Sequence, residues 1–153
     1  MIEVERTLTL QHALPDVVAY LADFAHTEEW DPGTVSCRPV RDGVPVGKGT
    51  EWENVSEFRG RRTELRYRLV RFEERRLTFV GRNRTATSTD DMTFREDGAG
   101  TRLTYRARIE FRGVARLASP FLRGEFERLG DEVVRRLPGA VDHHFGADAR
   151  PAN

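Results

Sequence analysis

Apolar and polar side chains alternate along most of this chain, which is the pattern of β-strands with one buried face. Residues 2–10 alternate in this way, with Arg6 as the one charged side chain on the apolar side. Residues 35–40 form a second candidate strand, whose proline favours the edge of a sheet. From residue 50 to residue 112 the alternation continues, with a break at residues 70–72 that indicates a β-bulge. The pattern predicts an antiparallel sheet with one apolar and one charged face.

Apolar residues recur at helical spacing in two places. Near the N-terminus, Pro15 fits the first turn of a short helix, and a second helical turn ends at Trp30-Asp31-Pro32-Gly33. A longer amphipathic pattern covers residues 117–137. Because proline disrupts a helix interior, we expect this helix to begin near Ser119 and to end at Pro138-Gly139.

These elements predict an α+β fold. We expect a helix-grip fold, in which a curved antiparallel sheet of about six to seven strands wraps on a long C-terminal helix, with a short N-terminal helical pair. Residues 1–138 are predicted to form this single domain, and residues 139–153, which lack periodicity, a disordered tail. A curved sheet on one helix tends to leave a cavity, and such cavities bind small apolar molecules.

Composition excludes several classes of function. The 25 basic and 25 acidic residues cancel and are interleaved, so we expect no nucleic-acid partner and no net attraction to anionic lipid. Cys37 is the only cysteine, which excludes an intramolecular disulfide. The acidic N-terminus is unlike a signal peptide, and no apolar run approaches the roughly 20 residues that span a bilayer. We therefore expect a cytoplasmic protein without membrane insertion, either a monomer or a homodimer.

Motifs for cofactors and metals are missing from the sequence. There is no phosphate-binding loop, no dinucleotide fingerprint and no metalloprotease motif, so no cofactor is predicted. Asp142-His143-His144 matches no zinc spacing, and we assign it to the tail and predict no metal site.

The order of elements carries a resemblance to a known family. Together with Pro15-Asp16-Val17, Trp30-Asp31-Pro32, Gly47-Lys48-Gly49-Thr50 and Gly100-Thr101-Arg102-Leu103-Thr104, it resembles the START-like superfamily (SRPBCC). The chain looks most like its bacterial polyketide cyclase/dehydrase-related proteins, over residues 2–137. The resemblance implies the helix-grip fold and a function among lipid carriers, aromatic cyclases and receptors. It implies no particular catalytic residue, because the superfamily has no universal catalytic set.

Strand alternation places several polar side chains on the apolar face. A buried carboxylate is costly unless it is paired, and burial raises its pKa. Asp90 is therefore a candidate general acid or base, or a group that holds a ligand hydroxyl. Alternatively, Asp90 lies at a wet rim or pairs with Arg82 or Arg6. Tyr105 and Tyr67 are candidates to bind a ligand carbonyl, or core tyrosines bonded to the backbone. Asn54 and Ser88 are further candidates to orient the polar atoms of a ligand, and Ser56 is on the same face.

Aromatic and apolar residues supply candidates for the cavity wall. Trp30 and Trp52 have large surfaces that could stack on a planar ligand or simply fill the core. Trp30 lies on the short helical turn where we expect a lid over the cavity. His26 lies beside it and is a candidate for proton transfer, or an exposed loop residue. The remaining candidates for the wall are Phe58, Met92 and Phe121.

Three functions agree with these patterns. We expect first a protein that binds a small hydrophobic ligand, lipid-like or aromatic, between sheet and helix. The alternative is a polyketide cyclase or dehydratase in which a cavity carboxylic acid and a tyrosine move protons. The third is an interaction module whose cavity is filled by side chains.

Overall fold

A computed structural model of the protein describes residues 1–147. Its seven strands form one antiparallel sheet in the order β1-β7-β6-β5-β4-β3-β2, which confirms the predicted strand number and the edge position of the proline-containing strand. The strands are β1 (Ile2–Leu10), β2 (Thr34–Pro39), β3 (Glu51–Phe58), β4 (Arg61–Glu73), β5 (Arg76–Arg82), β6 (Ala86–Asp97) and β7 (Gly100–Phe111).

Helical segments cover one face of this sheet. A short helical pair follows β1, and a long helix follows β7. The helices are α1 (Leu14–Ala22), α2 (Thr27–Trp30) and α3 (Ser119–Asp142), with 3-10 turns at Phe24–His26 and Gly113–Ala118 and a π turn at His143–Ala147. This α+β arrangement of a curved sheet around a long C-terminal helix is the predicted helix-grip fold. Within residues 1–147, no helix has both the length and the apolar character needed to cross a bilayer.

The predicted break near residues 70–72 is confirmed. The pairing of β4 with β5 shifts by one residue between Leu69 and Arg71. Leu69 is fully buried, whereas Val70 and Phe72 are 38% and 41% exposed. The bulge turns the last part of β4 away from the core.

Arg6 lies on the apolar side of β1 because α3 supplies acids to it. Its Nε donates to Asp131 Oδ1 at 2.9 Å, and its Nη2 donates to Glu127 Oε2 at 2.8 Å. Beside these ion pairs, Gly130 of α3 lies so close to β1 that a Cβ there would be 2.7 Å from Val4 Cγ1. The missing side chain and the two ion pairs hold α3 against β1.

The predicted end of the long helix is wrong. Pro120 lies in the first turn, as expected for a start at Ser119, but Pro138 lies inside the helix, which continues to Asp142. Leu137 and Val141 are both fully buried, so packing on either side of Pro138 outweighs the single backbone hydrogen bond that proline removes.

Residues 139–147 are helical rather than a disordered tail. His12 Nε2 lies 2.7 Å from Asp142 Oδ1, and the Phe145 ring packs 5.5 Å from the His12 ring. These contacts anchor the end of the helix to the loop after β1. The rest of the predicted tail, residues 148–153, lies outside the described residues.

Candidate functional site

A cavity of about 240 Å³ lies between α3 and one end of the sheet. Its wall is mainly apolar, with a few polar side chains. The apolar lining comes from Ile2, Val4, Phe58, Leu65, Ala86, Ala107, Ile109, Phe111, Leu122, Phe126, Leu129, Gly130 and Val133, and the polar lining includes Asp31, Ser56, Tyr67, Thr85 and Tyr105.

Small residues create this space. Ser56, Ala86 and Ala107 occupy inward positions of β3, β6 and β7, and Gly130 occupies the facing position of α3. At the other end of the same strands the inward positions carry Trp52, Met92 and Leu103, each fully buried, and the core there is closed. The cavity follows from this gradient in side-chain size along the sheet.

Two stacked phenylalanines stand at the outer end of the cavity. The Phe58 and Phe126 rings are 5.1 Å apart and only 13° from parallel, and they join the end of β3 to α3. The Arg59 guanidinium lies 6.0 Å from the Phe58 ring centroid. Both rings line the cavity.

A group of polar side chains, here called the polar wall, separates the cavity from the closed core. It consists of Asp31, Tyr67, Ser88, Asp90 and Tyr105. Tyr67 and Tyr105 line the cavity directly. Asp90 is 6% exposed and lies behind them, close to the Tyr105 hydroxyl, and Ser88 lies close to Tyr67.

Three members of the polar wall, Asp90, Tyr67 and Tyr105, keep their protons at neutral pH. Burial, reinforced by the negative charge of Asp31, raises the pKa of Asp90 to about 8, while its hydrogen bond with Tyr105 acts in the opposite direction. Burial, followed by the charge of Asp90, raises the pKa of Tyr67 and Tyr105 well above the usual tyrosine value. Asp90 is therefore neutral at pH 7, and its carboxyl group and both phenols can donate hydrogen bonds.

Asp90 is not neutralised by an arginine. Its predicted alternative partner Arg6 is bound to Asp131 and Glu127 of α3. Arg82 is exposed on the other face of β5. Within residues 1–147, no salt bridge reaches Asp90. The pKa of Asp90 is raised because its carboxyl group is buried without a salt bridge.

Asp31 is held at the cavity by a chain of side-chain hydrogen bonds. Its Oδ2 accepts from Thr34 Oγ1 at 2.8 Å, and its Oδ1 accepts from the Gly33 N–H at 3.1 Å. Thr34 Oγ1 accepts in turn from Asn54 Nδ2 at 3.2 Å, and Asn54 Oδ1 accepts from Ser56 Oγ at 2.6 Å. Burial raises the pKa of Asp31, and the bonds from Thr34 and Gly33 oppose that rise.

The position of the Tyr67 ring depends on Gly81. The two residues are directly opposed on β4 and β5. A Cβ at position 81 would lie 2.6 Å from Cζ of Tyr67 and 2.7 Å from both Cε atoms. Any larger residue would push the ring toward the cavity.

Three of the residues predicted to bind ligand line the cavity: Phe58, Tyr67 and Tyr105. Trp30, Trp52 and Met92 are instead fully buried in the closed core, where Trp52 packs 6.0 Å from the Phe24 ring and Trp30 contacts Tyr105 edge-on at 5.8 Å. The indole Nε1 of Trp30 has no hydrogen-bond partner among the described residues. Asp31, the residue after Trp30, lines the cavity instead.

Asn54, Ser88 and Asp90 are inward-facing as predicted, but they lie behind the lining residues. Asn54 is 2% exposed, and its side chain is used in the hydrogen bonds that reach Asp31. Phe121, expected in the cavity wall, is 76% exposed. The neighbouring Leu122, on another side of the helix, lines the cavity instead.

His26 lies apart from the cavity lining. Its ring stacks on Tyr20 at 4.2 Å, and its Nδ1 lies 2.6 Å from the Tyr20 carbonyl oxygen. The 3-10 turn that buries Phe24 directs His26 to α1. His26 is therefore placed far from the proton-transfer role that its position in the sequence suggests.

Sequence patterns miss several polar lining residues, Asp31 and Thr85 among them, and most of the apolar lining. They identify Asp31 only as part of the sequence that ends a helix. Its position directly after Trp30, a buried residue, is the available signal for a polar group near the core. Ala86 and Ala107 are small residues at inward strand positions, which is the available signal for empty space. Within residues 1–147, no group of three His, Cys, Asp or Glu side chains is arranged to hold a metal ion.

Comparisons with known proteins agree with this architecture. A sequence profile of the family described as "Polyketide cyclase / dehydrase and lipid transport" matches residues 1–141. A search of curated proteins finds no match.

Several solved structures share the fold. TTHA0849 from Thermus thermophilus has a TM-score of 0.78 at 15% identity, covering 94% of this chain and 99% of that chain. A START superfamily protein from Mycobacterium smegmatis has a TM-score of 0.76 at 12% identity, covering 93% and 98%. The Zhui aromatase/cyclase from Streptomyces sp. R1128 has a TM-score of 0.76 at 14% identity, covering 97% and 98%. The helix-grip fold is thus shared with a START superfamily protein, and since the profile match extends over residues 1–141, the chain belongs to the polyketide cyclase/dehydrase and lipid transport family.

Proposed function

We propose that this protein binds a small, largely apolar molecule that carries a hydroxyl or carbonyl oxygen. The observation that carries the proposal is an apolar cavity whose inner end is formed by the phenols of Tyr67 and Tyr105, with Asp90 behind them. Apolar lining with a few convergent polar groups is typical of small-molecule sites.

The size of the cavity limits the ligand. An engineered cavity of about 150 Å³ holds benzene, and pockets for drug-sized molecules begin near 300 Å³. At about 240 Å³, this cavity matches a molecule of one or two fused rings, or a short acyl chain. A larger molecule would have to leave part of its length outside the Phe58–Phe126 pair.

Because Asp90, Tyr67 and Tyr105 are protonated, we expect the inner end of the ligand to carry an oxygen atom that accepts a hydrogen bond from them. With a pKa of about 8, the Asp90 carboxyl is protonated at pH 7 and does not require a cation beside it. The Tyr105 and Tyr67 hydroxyls then remain as donors toward the cavity. A ligand carbonyl or hydroxyl oxygen would accept a hydrogen bond there.

The experiment compares two probes that differ by one hydroxyl, naphthalene and 2-naphthol. We expect both to shift the NMR signals of Val4, Leu129 and Ile109, with 2-naphthol binding roughly five- to tenfold more tightly, as one buried hydrogen bond predicts. Ala107→Leu, which fills the cavity, should abolish binding of both. Tyr105→Phe should remove only the preference for 2-naphthol.

A control for this experiment lies on the other face of the sheet. Thr93→Val changes an exposed side chain of β6 and should leave both affinities unchanged. Absence of binding by both probes, or binding that survives Ala107→Leu, would contradict the proposal.

A second candidate function is proton-transfer catalysis of the cyclase or dehydratase type. It is favoured by the two carboxyl groups: Asp31 at the cavity and Asp90 behind Tyr105, with the charge of Asp31 acting on Asp90. In this function Asp31 would accept a proton from a carbon next to a ketone, while Tyr105 would donate a hydrogen bond to the ketone oxygen, and Asp90 would support Tyr105. A structural neighbour, the Zhui protein, is an aromatase/cyclase by its name.

The variant Asp90→Asn distinguishes a catalytic function from simple ligand binding. With a short poly-β-ketone thioester analogue as substrate, a catalytic role predicts that Asp90→Asn abolishes turnover while the affinity for the analogue stays within about threefold. If Asp90→Asn changes neither turnover nor affinity, Asp90 has no role in either function. If the wild-type protein binds the analogue without converting it, the binding function alone remains.

A further inference from the structure

The start of α3 and the 3-10 turn before it carry three large apolar side chains on the surface. Val114, Leu117 and Phe121 are 85%, 75% and 76% exposed, more than any other large hydrophobic residue described. Their spacing of three and then four residues places them on one side of the helical segment. Single exposed apolar residues are ordinary, but a group of this kind marks an interaction surface. We call these three residues the apolar tip.

Arginines flank the apolar tip. Arg112, Arg116 and Arg123 line a surface groove along the next side of the same segment, together with one acid, Glu110. Within residues 1–147, none of these three arginines forms a salt bridge, whereas most arginines of the outer sheet face are paired with Glu or Asp. The chain is neutral as a whole, but this end of it is basic.

The Arg112 guanidinium also fixes the geometry of this region. It donates to the backbone carbonyl oxygens of Asn83 and Ala86 and to Thr87 Oγ1, so the turn after β7 is tied to the start of β6. Arg116 and Arg123 remain directed at the groove. The hydrogen bonds of Arg112 thus fix the start of the segment that carries the apolar tip.

The tip and the cavity occupy neighbouring sides of one helix. Phe121 is exposed, while Leu122 and Phe126 line the cavity. Phe111 lines both the cavity and the basic groove. A ligand that leaves the cavity past Phe126 would emerge beside the tip.

We propose that the apolar tip docks on an anionic phospholipid surface, with Arg116 and Arg123 contacting the head groups. The three tip side chains are largely exposed to solvent, and exposed apolar groups with flanking arginines fit an anionic lipid interface. Arginines near an anionic surface each add to the attraction. Docking there would let an apolar ligand pass between bilayer and cavity with little exposure to water. The docking itself does not depend on the proposed ligand.

The test is co-sedimentation of the full chain with two kinds of vesicle. We expect binding to vesicles of equal parts phosphatidylglycerol and phosphatidylcholine, little binding to phosphatidylcholine alone, and weaker binding as salt increases. The double variants Leu117→Ser/Phe121→Ser and Arg116→Glu/Arg123→Glu should each reduce partitioning by about tenfold or more.

Matched controls change the same residue types elsewhere on the surface. Phe72→Ser, at a side chain 41% exposed on β4, and Arg95→Glu, at an exposed arginine of β6, should leave partitioning unchanged. Equal binding to both vesicle types, or equal loss in the control variants, would overturn the proposal. Absence of vesicle binding would also overturn it and would favour a protein partner at the tip. Binding of 2-naphthol should be unaffected in the tip variants, so this proposal can fail without the proposed function failing.

Discussion

The Tyr67 ring lies against the backbone of Gly81, so closely that a Cβ at position 81 would be 2.6 Å from the ring's Cζ. The two residues are paired across β4 and β5. Gly81 is also directly opposite Ser88 of β6. One glycine thereby sets how far a cavity-lining phenol stands from the sheet.

Gly81→Ala should displace the Tyr67 ring. We expect a loss of about 1–3 kcal/mol in the free energy of unfolding, because the added methyl group overpacks the site. In a Tyr67→Leu background the same change should cost much less, since the ring is gone, and a double-mutant cycle in urea measures this coupling. Gly139→Ala is the control, because a Cβ there meets no atom within 4 Å. Equal costs in both backgrounds would contradict the contact.

Stability should fall as the pH rises toward 8 because of Asp90. The pKa of Asp90 is about 8 in the folded protein against a usual value of 3.8, so the folded state holds this proton more tightly than the unfolded state. The stabilisation is complete below about pH 4 and is lost as the pH rises through 8, at about 1.4 kcal/mol per pH unit.

Asp90→Asn isolates this effect. We expect urea unfolding at pH 5, 6, 7 and 8 to show that the free energy of unfolding of Asp90→Asn, relative to that of the wild type, rises by about 1.4 kcal/mol per pH unit. Asp91 offers the control: its hydrogen bonds and ion pair with Arg76 hold its pKa below the usual value, so Asp91→Asn should leave the slope in this range unchanged. A parallel pH dependence of wild type and Asp90→Asn would mean that Asp90 is ionised in the fold.

Arg6→Met should loosen α3 from β1. The guanidinium is bound to both Asp131 and Glu127, and its side chain is only 23% exposed. We expect a loss of about 1–2 kcal/mol in the free energy of unfolding, reduced at high salt. Arg75→Met removes an ion pair to Glu96 in which both partners are at least half exposed, and it should cost well under about 1 kcal/mol. Similar losses for the two variants would refute a special role for Arg6.

Thr34→Val should disturb the polar wall without changing the size of the side chain. Thr34 Oγ1 both donates to Asp31 and accepts from Asn54. We expect a loss of about 1–3 kcal/mol in the free energy of unfolding, because the buried Asn54 amide loses a partner. Ser36→Ala changes a nearby hydroxyl of β2 outside this set of bonds and serves as the control in the same urea titration. If Thr34→Val unfolds at the wild-type urea concentration, the hydrogen-bond chain contributes nothing.

Strand alternation is sufficient to decide which side chains face the core. It assigns Asn54, Tyr67, Asp90 and Tyr105 to the inner face from their parity alone, and all four are buried. The bulge after Leu69 is visible as a break in the same pattern. These assignments succeed because the two-residue period of a strand is a local property of the backbone.

Only tertiary structure decides whether an inward-facing residue lies in the closed core or lines the cavity. Trp52 and Phe58 share one face of β3, yet the first fills the core and the second lines the cavity. Phe121 and Phe126 belong to the same apolar stripe of α3, but only the second lies over the sheet. Where α3 crosses the strands depends on distant contacts such as Gly130 with Val4, and no local pattern encodes such contacts.

The sequence by itself therefore determined the order of elements, the family and the set of inward-facing residues. Tertiary structure decided that Asp31, one residue beyond the tryptophan expected there, lines the cavity, and that Pro138 lies within a helix whose flanking residues are buried. It also gathered Arg116 and Arg123 beside the apolar tip, a local excess of positive charge that a net charge of zero concealed. The reason is physical: periodicity reports which way a side chain points, whereas cavities, ion pairs and exposed tips depend on what the folded chain brings opposite to it.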